Sequence, residues 1–224
     1  MGTDDLFKKR RAKRKARKVE TIEPRADSYL IACEGEKTEP LYFDAIAKEV
    51  KRKLGGNLDV PIINTFGEGR ETVNLVEKAI ELVNRANTNY QHVWVVMDKD
   101  DFTDFDEAIE MARAHGFEVA WSNQRFEYQL YPHFFFSDSA LHRNDWMSKL
   151  SEIFSSWGIR DEGYEKNLDD LYEIVSTYGD FPRAQANAQR MRERFSDGRP
   201  PSLRDPCTTV DLLVGELRRL CERD

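Results

Sequence analysis

Two short acidic stretches carry the residues best suited to chemistry. Glu34 stands in Cys33-Glu34-Gly35-Glu36-Lys37, and Asp98 and Asp100 stand in Met97-Asp98-Lys99-Asp100-Asp101. Each follows an apolar run that reads as a strand. Both therefore fall at strand carboxyl ends, where open α/β sheets bind ligands. The i, i+2 spacing of Asp98 and Asp100 turns both to one side if the chain there is extended. Gly35 lets the backbone turn sharply after Glu34. If the two strands are neighbours, three carboxylates converge, repel and raise one another's pKa. A divalent cation relieves that repulsion, and hard carboxylate oxygens with open positions suit Mg²⁺ or Mn²⁺. The competing account is that these acids only cap the following helices. It fits Asp98–Asp101 taken alone better than it fits two such stretches at separate strand ends.

Other candidates carry less. Lys37 could reach a phosphate near a helix start, or simply stay in solvent. Gly67-Glu68-Gly69-Arg70 could lend backbone amides to an anion, but it lacks the full phosphate-loop pattern and reads more readily as a plain strand–helix turn. His133 and His142 lie in an aromatic region and read as packed or surface histidines. Cys33 reads as a small core residue. The sequence holds no Gly-x-Ser-x-Gly and no complete Walker A motif, which argues against a serine hydrolase of that type and against a phosphate-loop ATPase.

The elements that must position these acids follow from periodicity and punctuation. Residues 28–33 read as a buried strand and 34–37 as a turn. Thr38, Glu39 and Pro40 open a helix that Gly55-Gly56 stops. Strands over 60–66, 93–97 and 117–122 alternate with helices over 71–85 and 104–114. Val93–Met97 is apolar on both faces, as covered parallel strands are. After residue 123 the pattern becomes helical: an aromatic-rich stretch over 125–136, then helices over 145–157, 165–177, 181–195 and 208–223. The expected fold is α/β: an open parallel sheet of about four strands flanked by helices, with a helical C-terminal extension. Residues 26–125 form the α/β core of a single domain and 126–224 its extension. Val210, Leu213, Leu217 and Leu220 recur at helical spacing, which fits either packing on the sheet or docking a partner.

Charge is uneven. The 224 residues carry a net charge of −7. Residues 1–25 hold ten Lys/Arg against four Asp/Glu, or +6, and the remainder is −13. Lys8, Lys9, Arg10, Arg11, Lys13, Arg14, Lys15, Arg17 and Lys18 make a basic arm suited to sequence-independent contact with nucleic acid. A solubilising tail, or one that folds back on the acidic body, is the alternative. No apolar run of about 18 residues is present, so no membrane-spanning helix is expected. The basic N-terminus has no apolar segment behind it, unlike a secretory signal. Three widely spaced cysteines suit neither a disulfide framework nor a Cys-based zinc site, and point to a reducing cytoplasm.

The run CEGEKTEPLYF, followed 64 residues after Glu34 by VVMDKDDF, resembles the RloB family. Asn123…Phe126-Glu127-Tyr128 and Pro206-Cys207-Thr208-Thr209-Val210-Asp211-Leu212-Leu213-Val214 extend the resemblance to about residues 28–220. RloB proteins look like relatives of the Toprim fold, whose Glu-Gly and Asp-x-Asp fall here on Glu34-Gly35 and Asp98-x-Asp100. Toprim domains occur in topoisomerases, primases and OLD-type nucleases, where the acids bind Mg²⁺. The resemblance implies a metal-dependent nuclease, with Glu34, Asp98 and Asp100 holding one or two Mg²⁺ (or Mn²⁺) and Asp101 and Glu127 as further ligands. Glu34 could instead act as general acid or base, with the aspartates alone on the metal. RloB members lie in restriction and phage-defence loci, often beside an ABC-type ATPase. That implies nucleic acid, DNA or tRNA, as substrate and an ABC-type or AAA ATPase from a neighbouring gene as partner; homo-oligomerisation stays open. One departure concerns Gln129, where the family has Trp, and Pro132, which interrupts the helix. Glu127 is retained, to face the acidic pocket or to pair on a helix surface. A non-catalytic binding subunit is the alternative function. A receiver-like domain is disfavoured, because the fourth strand ends at Ser122-Asn123 without a lysine.

Overall fold

The computed structural model describes residues 27–55, 60–69 and 72–222. The basic residues Lys8 to Lys18 lie outside these. Strand β1 (Ser28–Cys33) leads to helix α1 (Thr38–Leu54), β2 (Ile62–Gly67), α2 (Thr72–Arg85), β3 (His92–Asp98), α3 (Phe105–Ala114) and β4 (Glu118–Asn123). The remainder is α4 (Phe126–Leu130), α5 (Arg143–Ser156), α6 (Leu171–Tyr178), α7 (Phe181–Arg194), the two-residue strand β5 (Cys207–Thr208) and α8 (Val210–Leu220). The fold is mixed α/β, with a mostly parallel sheet and a helical C-terminal region.

The sheet runs β2-β1-β3-β4-β5. The first four strands are parallel, and β5 pairs antiparallel with β4. Alternation along each strand divides the core into two layers. Tyr29, Ile31, Cys33, Trp94 and Val96 pack against α1 and the C-terminal helices. Leu30, Ala32, Val93, Val95 and Met97 pack against α2 and α3. The first crossover thus covers one face and the next two cover the other. The chain changes direction between neighbouring β1 and β3, which makes their carboxyl ends the topological switch point of the sheet.

Several expectations change in detail. The sheet has a fifth strand, because Cys207 and Thr208 extend the edge of β4. The Thr209 N–H donates to Trp121 O at 2.8 Å and its hydroxyl accepts from Trp121 N–H at 2.9 Å. The last helix therefore begins at Val210 and not at Thr208. The helix expected over 165–177 forms only at Leu171–Tyr178. Ahead of it Asn167 adopts φ 63° and its N–H donates to the Thr38 hydroxyl at 3.2 Å. Val210, Leu213, Leu217 and Leu220 are fully buried in the core, so this stripe packs inside the protein and offers no docking face. Phe126, Tyr128 and Phe134 are likewise buried, as core residues and not as a stacking platform. The three cysteines are free. Among the described residues no helix is long and apolar enough to cross a membrane.

Candidate active site

Parallel pairing of β1 with β3 brings Glu34 and Asp98 together across 64 residues of sequence. The Glu34 N–H donates to Val96 O at 3.0 Å, continuing the ladder one residue beyond β1. Glu34 Oε2 then accepts the Asp98 N–H at 3.0 Å, which fixes its carboxylate over the end of β3. Asp98 Oδ2 accepts the Phe126 N–H at 3.0 Å. Each carboxylate is thus held by backbone from a neighbouring element.

Two buried carboxylates join them in a cavity of about 500 Å³, whose wall also carries Glu36 and Asp100. Glu39, in the first turn of α1, is only 8% exposed. It lies against Gly35, where a Cβ would overlap its carboxylate. Gly67 also has no room for a side chain, since a Cβ there would come within 2.6 Å of Gly35 O. These two glycines let the loop after β1 and the end of β2 close on each other. Glu127, on α4, is 2% exposed. It accepts a hydrogen bond from the Tyr164 hydroxyl at 3.2 Å and faces Lys166 Nζ at 3.8 Å. Lys37, Arg125, Lys166 and Asn167 complete much of the wall.

The acids repel one another in this setting. Burial pushes the Asp98 carboxyl well above the ordinary carboxylate range. Glu39, Glu34 and Glu127 push it further, and the Phe126 hydrogen bond opposes them. Glu39 is raised by burial and by Glu127, against its own backbone N–H, Lys166 and Arg125. Tyr164 is raised by burial and by Glu127. The Cys33 thiol is raised by burial, then by Glu39, Asp44 and Asp98, the setting of an unreactive thiol.

Asp100 and Asp101 are placed differently. The strand ends at Asp98, and Asp100 adopts φ 34°, so the extended i, i+2 geometry is not formed. Asp100 lines the cavity, but its Oδ1 accepts from Arg125 Nε and faces Arg143 Nη1, each at 3.1 Å. Asp101 is 89% exposed at its side chain, pairs with Arg143 at 3.2 Å and is not part of the cavity wall.

The donor chemistry of Glu34, Glu39, Asp98 and Glu127 fits a hard divalent cation: all are oxygens, crowded and partly desolvated. Among the described residues no three His, Cys, Asp or Glu side chains are grouped so as to hold an ion as they stand. Coordination therefore requires the carboxylates to close in on the ion.

The profile of the RloB-like protein family matches residues 29–217. The chain belongs to the RloB family. No curated protein and no solved structure matches it. The RloB match begins within β1 and ends within α8, so it spans every residue of the acidic cavity.

In this RloB chain, sequence reasoning passed over Glu39, Arg125, Arg143, Lys166 and Asn167. Glu39 had a signal, since it sits inside CEGEKTEP, but an acid there also reads as an ordinary helix start. Arg125 and Arg143 had none beyond charge. Lys166 and Asn167 lie in a segment that periodicity assigns to a helix.

Proposed function

We propose that this RloB chain is a metal-dependent phosphodiesterase, a Toprim-like nuclease acting as the effector of an anti-phage defence system with an ATPase partner. The observation that carries the reading is the joining of Glu34 and Asp98 at the switch point, with Glu39 and Glu127 in the same cavity. Glu34 and Asp98 are the residues that hold Mg²⁺ or Mn²⁺. When bound, the ion supplies Lewis acidity toward a phosphate oxygen and lowers the pKa of an attacking water. Lys37 and Lys166 on the cavity wall attract the phosphate. Asp100 holds Arg125 against the same wall. The basic arm adds sequence-independent affinity for DNA or tRNA. The ATPase partner supplies the nucleotide-driven control for which the chain has no phosphate-loop motif, and the setting is cytoplasmic.

The test is cleavage of plasmid DNA and of tRNA in Mn²⁺, with and without the ATPase of the neighbouring gene, by wild type, Glu34→Gln and Asp98→Asn. Wild type alone should cut, and should alone protect cells against phage. A second reading, a non-catalytic binding subunit, is favoured by the two arginines already on Asp100 and by the absence of a preassembled three-acid group among the described residues. Protection by the Glu34→Gln, Asp98→Asn double variant equal to wild type would establish that second reading.

A further inference from the structure

Asp100 and Glu39 stand in opposite electrostatic situations within one cavity. Asp100 sits past the strand end at φ 34°, with two guanidinium groups at 3.1 Å from one carboxylate oxygen. Its charge is already matched. Glu39 is 8% exposed and lines the same cavity. Its own backbone N–H bonds it, and Lys166 and Arg125 act on it from a distance, but among the described residues it makes no ion pair and takes no hydrogen bond from another side chain. A carboxylate so buried is costly without a cation in direct contact.

Gly35 explains why Glu39 can be there at all. The Glu39 carboxylate occupies the space that a Cβ at residue 35 would fill, directly beside Glu34 in the chain. The glycine therefore does more than turn the backbone. It lets an acid from α1 approach the acid that follows β1.

We propose that Glu39, and not Asp100, is the third carboxylate that holds the divalent cation with Glu34 and Asp98, and that the charge of Asp100 is spent on Arg125 and Arg143. The assignment rests on the metal-dependent reading above. Three elements then contribute one ligand each: the end of β1, the first turn of α1 and the end of β3.

The experiment is calorimetric titration of EDTA-stripped full-length protein with MnCl₂, checked by the loss of the free Mn²⁺ electron-spin-resonance signal. Glu39→Gln should weaken Mn²⁺ binding by about tenfold or more, the least expected when a metal site loses a supporting carboxylate. Asp100→Asn keeps an oxygen for the arginines and should bind as wild type does. Gly35→Ala, which retains every carboxylate but displaces that of Glu39, should weaken binding like Glu39→Gln. It carries the test if Glu39→Gln does not melt cooperatively. Wild-type binding with Glu39→Gln or Gly35→Ala unaffected overturns this assignment alone. A tenfold loss in Asp100→Asn with Glu39→Gln unaffected restores Asp100 as the ligand. Wild type that takes up no Mn²⁺ overturns both this assignment and the metal-dependent reading.

Discussion

Replacing Asp98 by Asn should stabilise the metal-free protein and abolish its response to metal. Asp98 shares its surroundings with Glu34, Glu39 and Glu127, and burial and these three neighbours all disfavour its charge. Asn keeps an oxygen to accept the Phe126 N–H, which Asp98 Oδ2 now accepts at 3.0 Å, so little bonding is lost. Removing one poorly compensated buried charge is worth about 1–2 kcal/mol at neutral pH. In a chain of this length that raises Tm by about 2–8 °C. The sign with pH follows from the raised native pKa values of Asp98 and Glu39. Below the ordinary carboxylate range both native and unfolded states are protonated, and no penalty exists. As pH rises, the unfolded chain releases its protons first, so metal-free wild type loses stability until the native carboxyls ionise. The Asn variant should lose less over the same range.

Mn²⁺ should reverse the order. An ion present at 100 times its Kd stabilises the native state by about 2.7 kcal/mol, more than the variant gains by losing its charge. Differential scanning calorimetry of both proteins from pH 4 to 8, with EDTA and with MnCl₂, reads all of this. The variant should melt above wild type in EDTA and below it in Mn²⁺. A variant that melts below wild type in EDTA at pH 8 would refute the argument. The acid would then be a structural cap whose charge the fold needs.

Two further outcomes test other parts of the reasoning. Deleting residues 1–20 should weaken binding to DNA or RNA and flatten the slope of log K against log salt, because fewer counterions are released; an unchanged slope shows that the arm does not touch the polyanion. Arg192 donates to Thr208 O at 2.8 Å and meets both oxygens of Asp211, which is 7% exposed. Arg192→Met should cost about 2–4 kcal/mol by chemical denaturation, somewhat below the fully buried case because Arg192 is partly exposed. Adding Asp211→Asn should recover part of that loss, and a double variant no better than the single one contradicts the account.

What could be read from the sequence was what local rules determine. Four of the strands and the three intervening helices were legible because each strand is a short run closed by a turn signal, at Glu34-Gly35, Gly67, Asp98 or Asn123. The position of Glu34 and Asp98 at strand ends followed from that punctuation alone. Asp100 was read as pointing with Asp98, because nothing nearby announces the left-handed turn. Its ion partners lie 25 and 43 residues further on, at Arg125 and Arg143. Strand β5 escaped because two residues carry no periodicity, and its pairing depends on Thr208 and Thr209 meeting β4 from 86 and 88 residues away. Residues 165–170 escaped for the same reason. Their helical pattern yields to bonds between Asn167 and Thr38, 129 residues apart.

These long-range bonds change the meaning of the helical region after residue 125. Read as an extension, it is an appendage to a complete α/β core. In the structure it supplies Glu127, Tyr164, Lys166 and Asn167 around the acids that the sheet presents. It also supplies Phe126, Leu150, Phe154, Tyr172 and Leu213 to the layer that covers Tyr29, Ile31 and Trp94. Without it, that apolar face of the sheet is covered by α1 alone. The two contributions are coupled. Packing of α4 onto β4 places the Phe126 N–H on Asp98, and the loop ahead of α6 sets Lys166 opposite Glu127. The sheet fixes where the acids converge, and the helical region determines how deeply they are buried and which cations face them. A substitution in the loop at 165–170 should thus alter the charge that Glu127 and Glu39 feel while leaving the bond between Glu34 and Asp98 in place.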